Sequence, residues 1–420
     1  MSGAKRAAQD NPEKGSPKNP YDVIIVGGGP NGLSMAAALV ASMDDISVCV
    51  CDKKPFSVPN DARSFALAAG VSRMYETLGL WDEMTANAAP IDHMRITDSD
   101  TPDLSRPLFL SFDGDVVPGR PFAHMVPNRD LMGALIGFTK DRVTLIDGAE
   151  VTGFDGTGGA AELRFASGDV LYASLVIAAD SGRSKLRDLA GIGTFEHDYK
   201  QSGLVTTIAH SLPHNNTAFE HFRPAGPFAS LPLSDNRSSL VWTERTERVE
   251  AIKALSQDEQ ARLIENETGH TLGEVTLLEP IQAFPLALRL AKKMSGPRLA
   301  LIGDAAHVVH PIAGQGLNLG LADVAALAEL IVDALRRGQE AGDPQMLLTY
   351  QSWRRRDTAL MAGMTDGLNR LFSNDNPVLR AARDFGLGVV DRLGPIKTGL
   401  IRHAAAAGGT SPKLMRGQVI

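Results

Sequence analysis

Gly27-Gly28-Gly29-Pro30-Asn31-Gly32 places glycines in the G-x-G-x-x-G spacing, at Gly27, Gly29 and Gly32. Three glycines so spaced give a tight turn, close backbone approach to a pyrophosphate, and close packing of a helix on a strand. The N–H groups and positive dipole end of the following helix would then face the phosphates. Asp52 stands twenty residues after Gly32. A carboxylate there can accept both hydroxyls of an adenosine ribose, and an acid at this position favours an unphosphorylated ribose. At this point FAD and NAD both fit.

A second motif separates them. Gly303-Asp304-Ala305-Ala306-His307 runs on to Pro311 and then to Gly314-Gln315-Gly316-Leu317-Asn318. Asp304 closes a predicted strand and could hold a ribityl hydroxyl. Gly314 to Gly316 open a predicted helix through Leu330. Its N–H groups can face the N1 and C2 carbonyl edge of a flavin, where negative charge gathers on reduction. A plain NAD dehydrogenase has no use for this second motif, so the pair favours FAD. His307 and His310 are three apart, but no acid or cysteine completes a metal set, and no metal is expected. A third motif is Ala179-Asp180-Ser181-Gly182-Arg183-Ser184, with Lys185 and Arg187 after it. Asp180 sits at a predicted strand end, where an ordinary helix N-cap would explain it as well.

These residues need elements to hold them. Tyr21–Val26 (YDVIIV) reads as a buried parallel strand, Leu33–Ala41 as a helix of small apolar residues, and Ile46–Cys51 (ISVCVC) as a second buried strand. Val170–Ile177 and Pro297–Ile302 repeat the format of a strand followed by a glycine or aspartate turn. The economical reading is one cofactor domain built from discontinuous segments, 21–95, 121–195 and 295–345. Alternating stretches such as FASLPL and SLVWTE predict antiparallel strands of an inserted lobe, 96–120 and 196–294. A helical region over 346–420 and a disordered polar tail over 1–20 complete the division.

Composition bounds the rest. With 42 basic and 49 acidic residues the net charge is −7, so there is no global basic footprint for nucleic acid. Hydrophobic residues at 43% exclude a disordered or fibrous chain. No apolar run reaches the roughly 20 residues of a membrane span. Cys49 and Cys51 point to one face of a strand and read as buried thiols. The first twenty residues lack the apolar stretch of a secretory signal, and Asp10 and Glu13 argue against a mitochondrial presequence. A bacterial or cytosolic address is expected.

The three motifs together resemble the group A flavin monooxygenases, the single-component aromatic hydroxylases. Further stretches narrow the resemblance to the ubiquinone-biosynthesis hydroxylase family: Asp61-Ala62-Arg63-Ser64-Phe65-Ala66-Leu67, Leu78-Gly79-Leu80-Trp81, Ala89-Pro90-Ile91, and Asn128-Arg129-Asp130-Leu131. The same holds for His310 to Asp323 (HPIAGQGLNLGLAD), and for Thr365-Asp366-Gly367-Leu368 with Leu371-Phe372-Ser373. The resemblance covers about Tyr21 to Arg416.

It implies an α/β, para-hydroxybenzoate-hydroxylase-like fold: a Rossmann-like FAD domain, an inserted, mostly antiparallel substrate sheet and a C-terminal helical region. It implies noncovalent FAD, with NAD(P)H as co-substrate. Gly27, Gly29, Gly32 and Asp52 would hold the ADP half, and Arg63 would sit near the pyrophosphate. Asn128 falls where relatives often carry Arg or Gln against the cofactor. Asp180 belongs to a motif serving both FAD and NAD(P)H, although relatives usually read Asp-Gly where this chain has Asp180-Ser181. Asp304, Gly314, Gln315, Gly316 and Asn318 would hold ribityl and isoalloxazine, with Pro311 beside the ring. The implied reaction is hydroxylation of a polyprenylated phenol by O2 through a C4a-hydroperoxyflavin, and no residue is singled out as catalytic acid or base. A hydroxylase of a small soluble aromatic compound and a flavin-binding scaffold subunit are the competing readings. The substrate implies peripheral contact with a membrane, in bacteria the inner membrane, or with a biosynthetic complex. Arg392, Lys397, Arg402, Lys413 and Arg416 follow Asp391 with no further acid. That basic end suits anionic lipid or an acidic partner, or simply a solvated helix.

Overall fold

The computed structural model describes residues 14–61, 63–98, 108–113, 119–372 and 411–420. In Tyr21–Val26 every residue but Asp22 is buried. This strand lies parallel between Val170–Ala178 and Val48–Cys51, with Val23 opposite Leu175 on one side and Val48 on the other. An unbroken apolar run suits such a central strand, which is buried on both faces. Leu299–Leu301 and Thr144–Ile146 extend the sheet on its two sides, also parallel. The helix Pro30–Ser42 buries Gly32 to Leu39 without a gap. Its small side chains let it pack between the sheet and the helices Gln315–Arg336 and Asn128–Thr139.

A second, mostly antiparallel sheet is organised by the long strand Thr194–His210. That strand pairs with Arg237–Arg245 on one edge and Gln282–Ala291 on the other. Thr217–Phe222 lies beside Phe228–Leu233 and runs parallel to His93–Asp98. The helices Val249–Lys253 and Gln257–Glu267 cover the back of this sheet, around Leu204, Phe228 and Trp242. A three-stranded sheet of Ser64–Ala68, Ala89–Ile91 and Ala123–Pro127 sits between the two larger ones. The sequence divisions at 95 and 195 fall inside the strands His93–Asp98 and Thr194–His210, both of which belong wholly to the second sheet.

Residues 14–20, placed by sequence in a disordered tail, form a turn against the first sheet. The Gly15 carbonyl accepts the Tyr172 N–H at 2.9 Å, and Lys14 lies over the Tyr21 ring. Residues 1–13 lie outside the described set, as do 373–410 with Arg392, Lys397 and Arg402. Pro344–Phe372 is one helix. Lys413, counted above in the basic end, is committed within the chain: its N–H reaches Glu329 at 2.8 Å, and its ammonium lies 3.5 Å from both Glu329 and Asp333. Cys49 and Cys51 are buried free thiols, 3.6 Å apart at sulfur. The hydrogen bond to Cys51, with burial, pushes the Cys49 thiol up and keeps it protonated. Among the described residues no helix is long and apolar enough to cross a membrane, and no acid, histidine and cysteine cluster could hold a metal.

Candidate functional site: a cleft with two ends

The glycine turn divides its three jobs among three residues. Gly27 holds φ +117° and donates its N–H to the Cys51 carbonyl at 2.8 Å. A Cβ there would strike the Ala179 carbonyl, and one at Gly32 would strike the Gly27 carbonyl. A Cβ at Gly29 would meet nothing within 4 Å. Two of the glycines therefore serve packing, and the third faces open space at the N-terminus of Pro30–Ser42. No side chain caps this helix, and Pro30, at its start, has no N–H to satisfy. Asp52 ties the loop together, accepting the Gly28 N–H at 2.6 Å and the Lys54 N–H at 2.8 Å.

Asp61, Arg63 and Asn128 meet in one cluster. Arg63 pairs with Asp61 at 2.7 Å, and the Asn128 amide donates to both Asp61 oxygens at 3.2 and 3.0 Å. Burial would raise the Asp61 pKa, but hydrogen bonds from Arg63 and Asn128 hold it below its ordinary value. The Arg63 side chain, though paired with Asp61, is 51% exposed, whereas Asn128 is 2% exposed and its amide is committed to Asp61.

Asp180 accepts from the Ser184 hydroxyl at 2.5 Å and from the Leu186 N–H at 3.1 Å. Ser184 in turn caps the short helix Lys185–Leu189. Ser181 holds φ +86°, the left-handed conformation that glycine adopts freely. Arg187 and Arg289 both donate to the Gly182 carbonyl, at 3.1 and 2.7 Å. Arg187 also donates to the Ala305 carbonyl at 3.1 Å, joining this loop to the Asp304 loop.

At the other end of the cleft, Asp304 is exposed, and its carboxylate accepts no hydrogen bond from the described residues. The surrounding walls desolvate it and push its carboxyl pKa up, and His307 draws it part of the way back. Behind Asp304 lies a buried network that sequence reading missed. Asp323 accepts the Gly303 N–H at 3.0 Å, His307 Nε2 at 2.6 Å and Arg354 Nε at 2.7 Å. Burial alone would raise the Asp323 pKa, yet His307 and Arg354 hold it low. An acid inside the apolar helix run LNLGLADVAALAEL was the available signal. Asn31, also missed, packs its amide against Gly303 and Gly320, where a Cβ would collide with it.

Pro311 leads a tight turn, Ile312–Gly314, and Gly314 at φ +63° starts the helix Gln315–Arg336. A Cβ at Gly316 would meet nothing within 4 Å. Asn318 faces away from the open side: its amide donates to the Ala66 carbonyl at 2.8 Å and accepts the Ala68 N–H at 3.0 Å, gripping the strand Ser64–Ala68. His310 is fully buried, neither ring nitrogen has a hydrogen-bond partner among the described residues, and it packs edge-on to Tyr199. Burial lowers its pKa to about 4, against an upward pull from Asp366.

The cleft fits FAD. Gly29 and Gly316 leave open space at two uncapped helix starts, and Asp304 is an acceptor with no partner among the described residues.

The comparisons agree with this geometry. A family model described as FAD binding domain matches residues 20–363. The chain is 40% identical over 415 residues to a Rhodospirillum rubrum protein named ubiquinone hydroxylase UbiL, covering 97% of this chain and 95% of that one. The chain belongs to the ubiquinone-biosynthesis family of FAD-dependent monooxygenases. Within that family it is also 32% identical to the Escherichia coli 3-demethoxyubiquinol 3-hydroxylase, covering 92% of this chain and 98% of that one. The solved p-nitrophenol 4-monooxygenase PnpA from Pseudomonas putida superposes with a TM-score of 0.73 at 18% identity, covering 92% of this chain and 98% of that one. At that identity it attests the fold alone. The expected fold class and the FAD cofactor are those of the family.

Proposed function

We propose that this chain hydroxylates the aromatic ring of a polyprenylated phenol in ubiquinone biosynthesis, using NAD(P)H and O2. The observation that carries this reading is the 40% identity to the R. rubrum ubiquinone hydroxylase over nearly the whole of both chains. Neither the small-aromatic reading nor the scaffold reading has a comparable observation behind it.

Bound FAD supplies electron transfer from the nicotinamide and activation of dioxygen. The chain's own residues do the rest. The N–H groups at the start of Pro30–Ser42 would take the pyrophosphate past Gly29, with Arg63 beside it, and the outer lone pairs of Asp52 would take the ribose. Asp304 would hold the ribityl chain. The N–H groups from Gly314 to Gly316 would face the electron-rich edge of the ring, with Pro311 against it and Gln315 close by. Asn128, Asn318 and Asp180 would act by positioning, because their polar atoms are already engaged with protein partners. The apolar cavity between the helix start and the second sheet would exclude water from the reacting ring.

The prenyl chain puts the substrate in a bilayer, so turnover takes place at a membrane surface, in a bacterium the inner membrane or a complex upon it. The deciding experiment is quinone-intermediate profiling in a strain lacking the protein. A polyprenylated intermediate short of one ring hydroxyl should accumulate and disappear on complementation. An unchanged quinone profile would reject the reading.

A further inference from the structure

Beside the cavity that would receive the substrate ring stand two arginines that share one acid. Ala68 and Phe122 line that cavity. The helix Ala69–Thr77, which carries Arg73 and Glu76, starts directly after Ala68, and Arg120 precedes Phe122 by two residues. The Ala69 N–H donates to the Phe122 carbonyl at 3.2 Å, so the two segments leave the cavity wall together. Arg120 pairs with Glu76 at 2.7 Å. Residues three apart on a helix are neighbours, which puts Arg73 on the face of Glu76. Arg73 makes no ion pair among the described residues, and its buried Nε and Nη2 have no hydrogen-bond partner there. Burial lowers the Arg73 pKa, Arg120 lowers it further, and Glu76 offsets part of this. His124 feels the same charges, but burial lowers its pKa too, so it adds no positive charge near neutral pH. Asp92, the acid after Ile91, is held by the Asn216 amide at 2.9 Å.

Two guanidiniums thus face one carboxylate, which leaves a positive charge over on a chain whose net charge is −7. Arg416 stands close by: a Cβ at its neighbour Gly417 would lie 3.9 Å from the Arg73 side chain, and Arg416 is exposed. A guanidinium offers its donors in a fork that matches a phosphate, and such charge-assisted bonds are the strong ones. We propose that Arg73 and Arg120 form a binding site for the phosphate of an anionic lipid, which holds the substrate cavity against the bilayer. A lipid is favoured over a dissolved anion because the site adjoins the cavity that a membrane-borne phenol must enter. The inference rests on the hydroxylase reading above and adds the residues that meet the membrane.

The test floats purified holoenzyme with vesicles of phosphatidylcholine alone, or of phosphatidylcholine and phosphatidylglycerol in equal parts. The mixed vesicles should bind at least about tenfold more tightly. Arg73→Gln and Arg120→Gln should each weaken that binding about fivefold, the equivalent of about 1 kcal/mol per arginine at an anionic surface. Glu76→Gln releases Arg120 and should tighten it. Lys253→Gln, which removes a charge from the helices behind the second sheet, should leave it within about twofold. Equal binding to both kinds of vesicle would overturn the proposal. So would a loss in Lys253→Gln as large as in Arg120→Gln, the mark of net charge acting without a site. Displacement by inorganic phosphate or NADPH beyond that by chloride of equal ionic strength would give the arginines to a dissolved phosphate and overturn it too. If Arg73→Gln fails to fold, the partly exposed pair Arg120→Gln and Glu76→Gln decides. Hydroxylation of a short-prenyl phenol without vesicles is followed alongside. Its absence in the unmutated holoenzyme would reject the hydroxylase reading, whereas hydroxylation without lipid selectivity would reject this inference alone.

Discussion

Asp180 and Asp304 follow two neighbouring parallel strands of one sheet, Val170–Ala178 and Leu299–Leu301. Asp180 is satisfied locally by Ser184 and Leu186. Asp304 accepts nothing from the described residues and stands exposed in the cleft. The same format, a strand closed by an aspartate turn, thus serves once as a cap and once as an offered ligand group. What separates them is the next few residues. Ser184, four places after Asp180, supplies a hydroxyl and starts a helix that supplies an N–H. Asp304 is followed by Ala305 and Ala306, which have no donor in their side chains. The support differs too: the Asp180 loop is clamped by two arginines at the Gly182 carbonyl, whereas the Asp304 loop rests on the buried Asp323 network.

The largest effect should come from removing that support. Asp323→Ala strips His307 and Arg354 of their shared anion, and breaking a buried pair costs about 3–5 kcal/mol. Urea denaturation should show a loss of that order, and a loss below about 1 kcal/mol would mean that the network does not hold the ring end.

Acid should act on the same end of the cleft. His310 has a folded pKa of about 4 against an ordinary value of 6.5. The unfolded chain therefore binds its proton first as pH falls, and stability drops between pH 6.5 and 4. At about 1.4 kcal/mol per unit, the loss is on the order of 3 kcal/mol. Denaturation midpoints of His310→Gln across this window should fall less steeply than those of the wild type. Parallel curves would remove His310 as the source.

The two aspartates should then part. Asp304→Ala should weaken FAD by about tenfold to a hundredfold, the value of a charge-assisted hydrogen bond of roughly 1.5–3 kcal/mol. The apoprotein should melt as before. Asp180→Ala should instead lower stability by about 0.5–2 kcal/mol, as losing a cap does, with and without FAD. Melting each variant in both states distinguishes a ligand group from a cap, and identical behaviour of the two variants would erase the contrast. The smallest effect is a gain: Ser181→Gly relieves a left-handed residue and should stabilise by about 1 kcal/mol, seen as a higher melting temperature. An unchanged or lower Tm would show that the Ser181 conformation carries no strain.

Much of this was legible in the sequence. Gly27, Gly29, Gly32, Asp52, Asp304 and Gly314 are tied to local turns and helix starts, and a spacing of a few residues fixes what such groups face. The long-range partners were not legible. Asp323 meets Arg354 across 31 residues, and Asn318 meets Ala66 across 252. Such pairings depend on how distant elements stack, which no local pattern encodes. For the same reason Asn128 and Asn318 read as cofactor contacts, although their amides are engaged with Asp61 and with the backbone of Ser64–Ala68.

The hydroxylase reading is tested most directly by following the oxygen. Purified holoenzyme is supplied with a prenylated phenol, NADPH or NADH, and 18O2, and the product is examined by mass spectrometry. One ring hydroxyl carrying one labelled oxygen is the predicted result. Nicotinamide oxidation that yields only hydrogen peroxide and leaves the ring unlabelled, across phenols of several prenyl lengths, would contradict it.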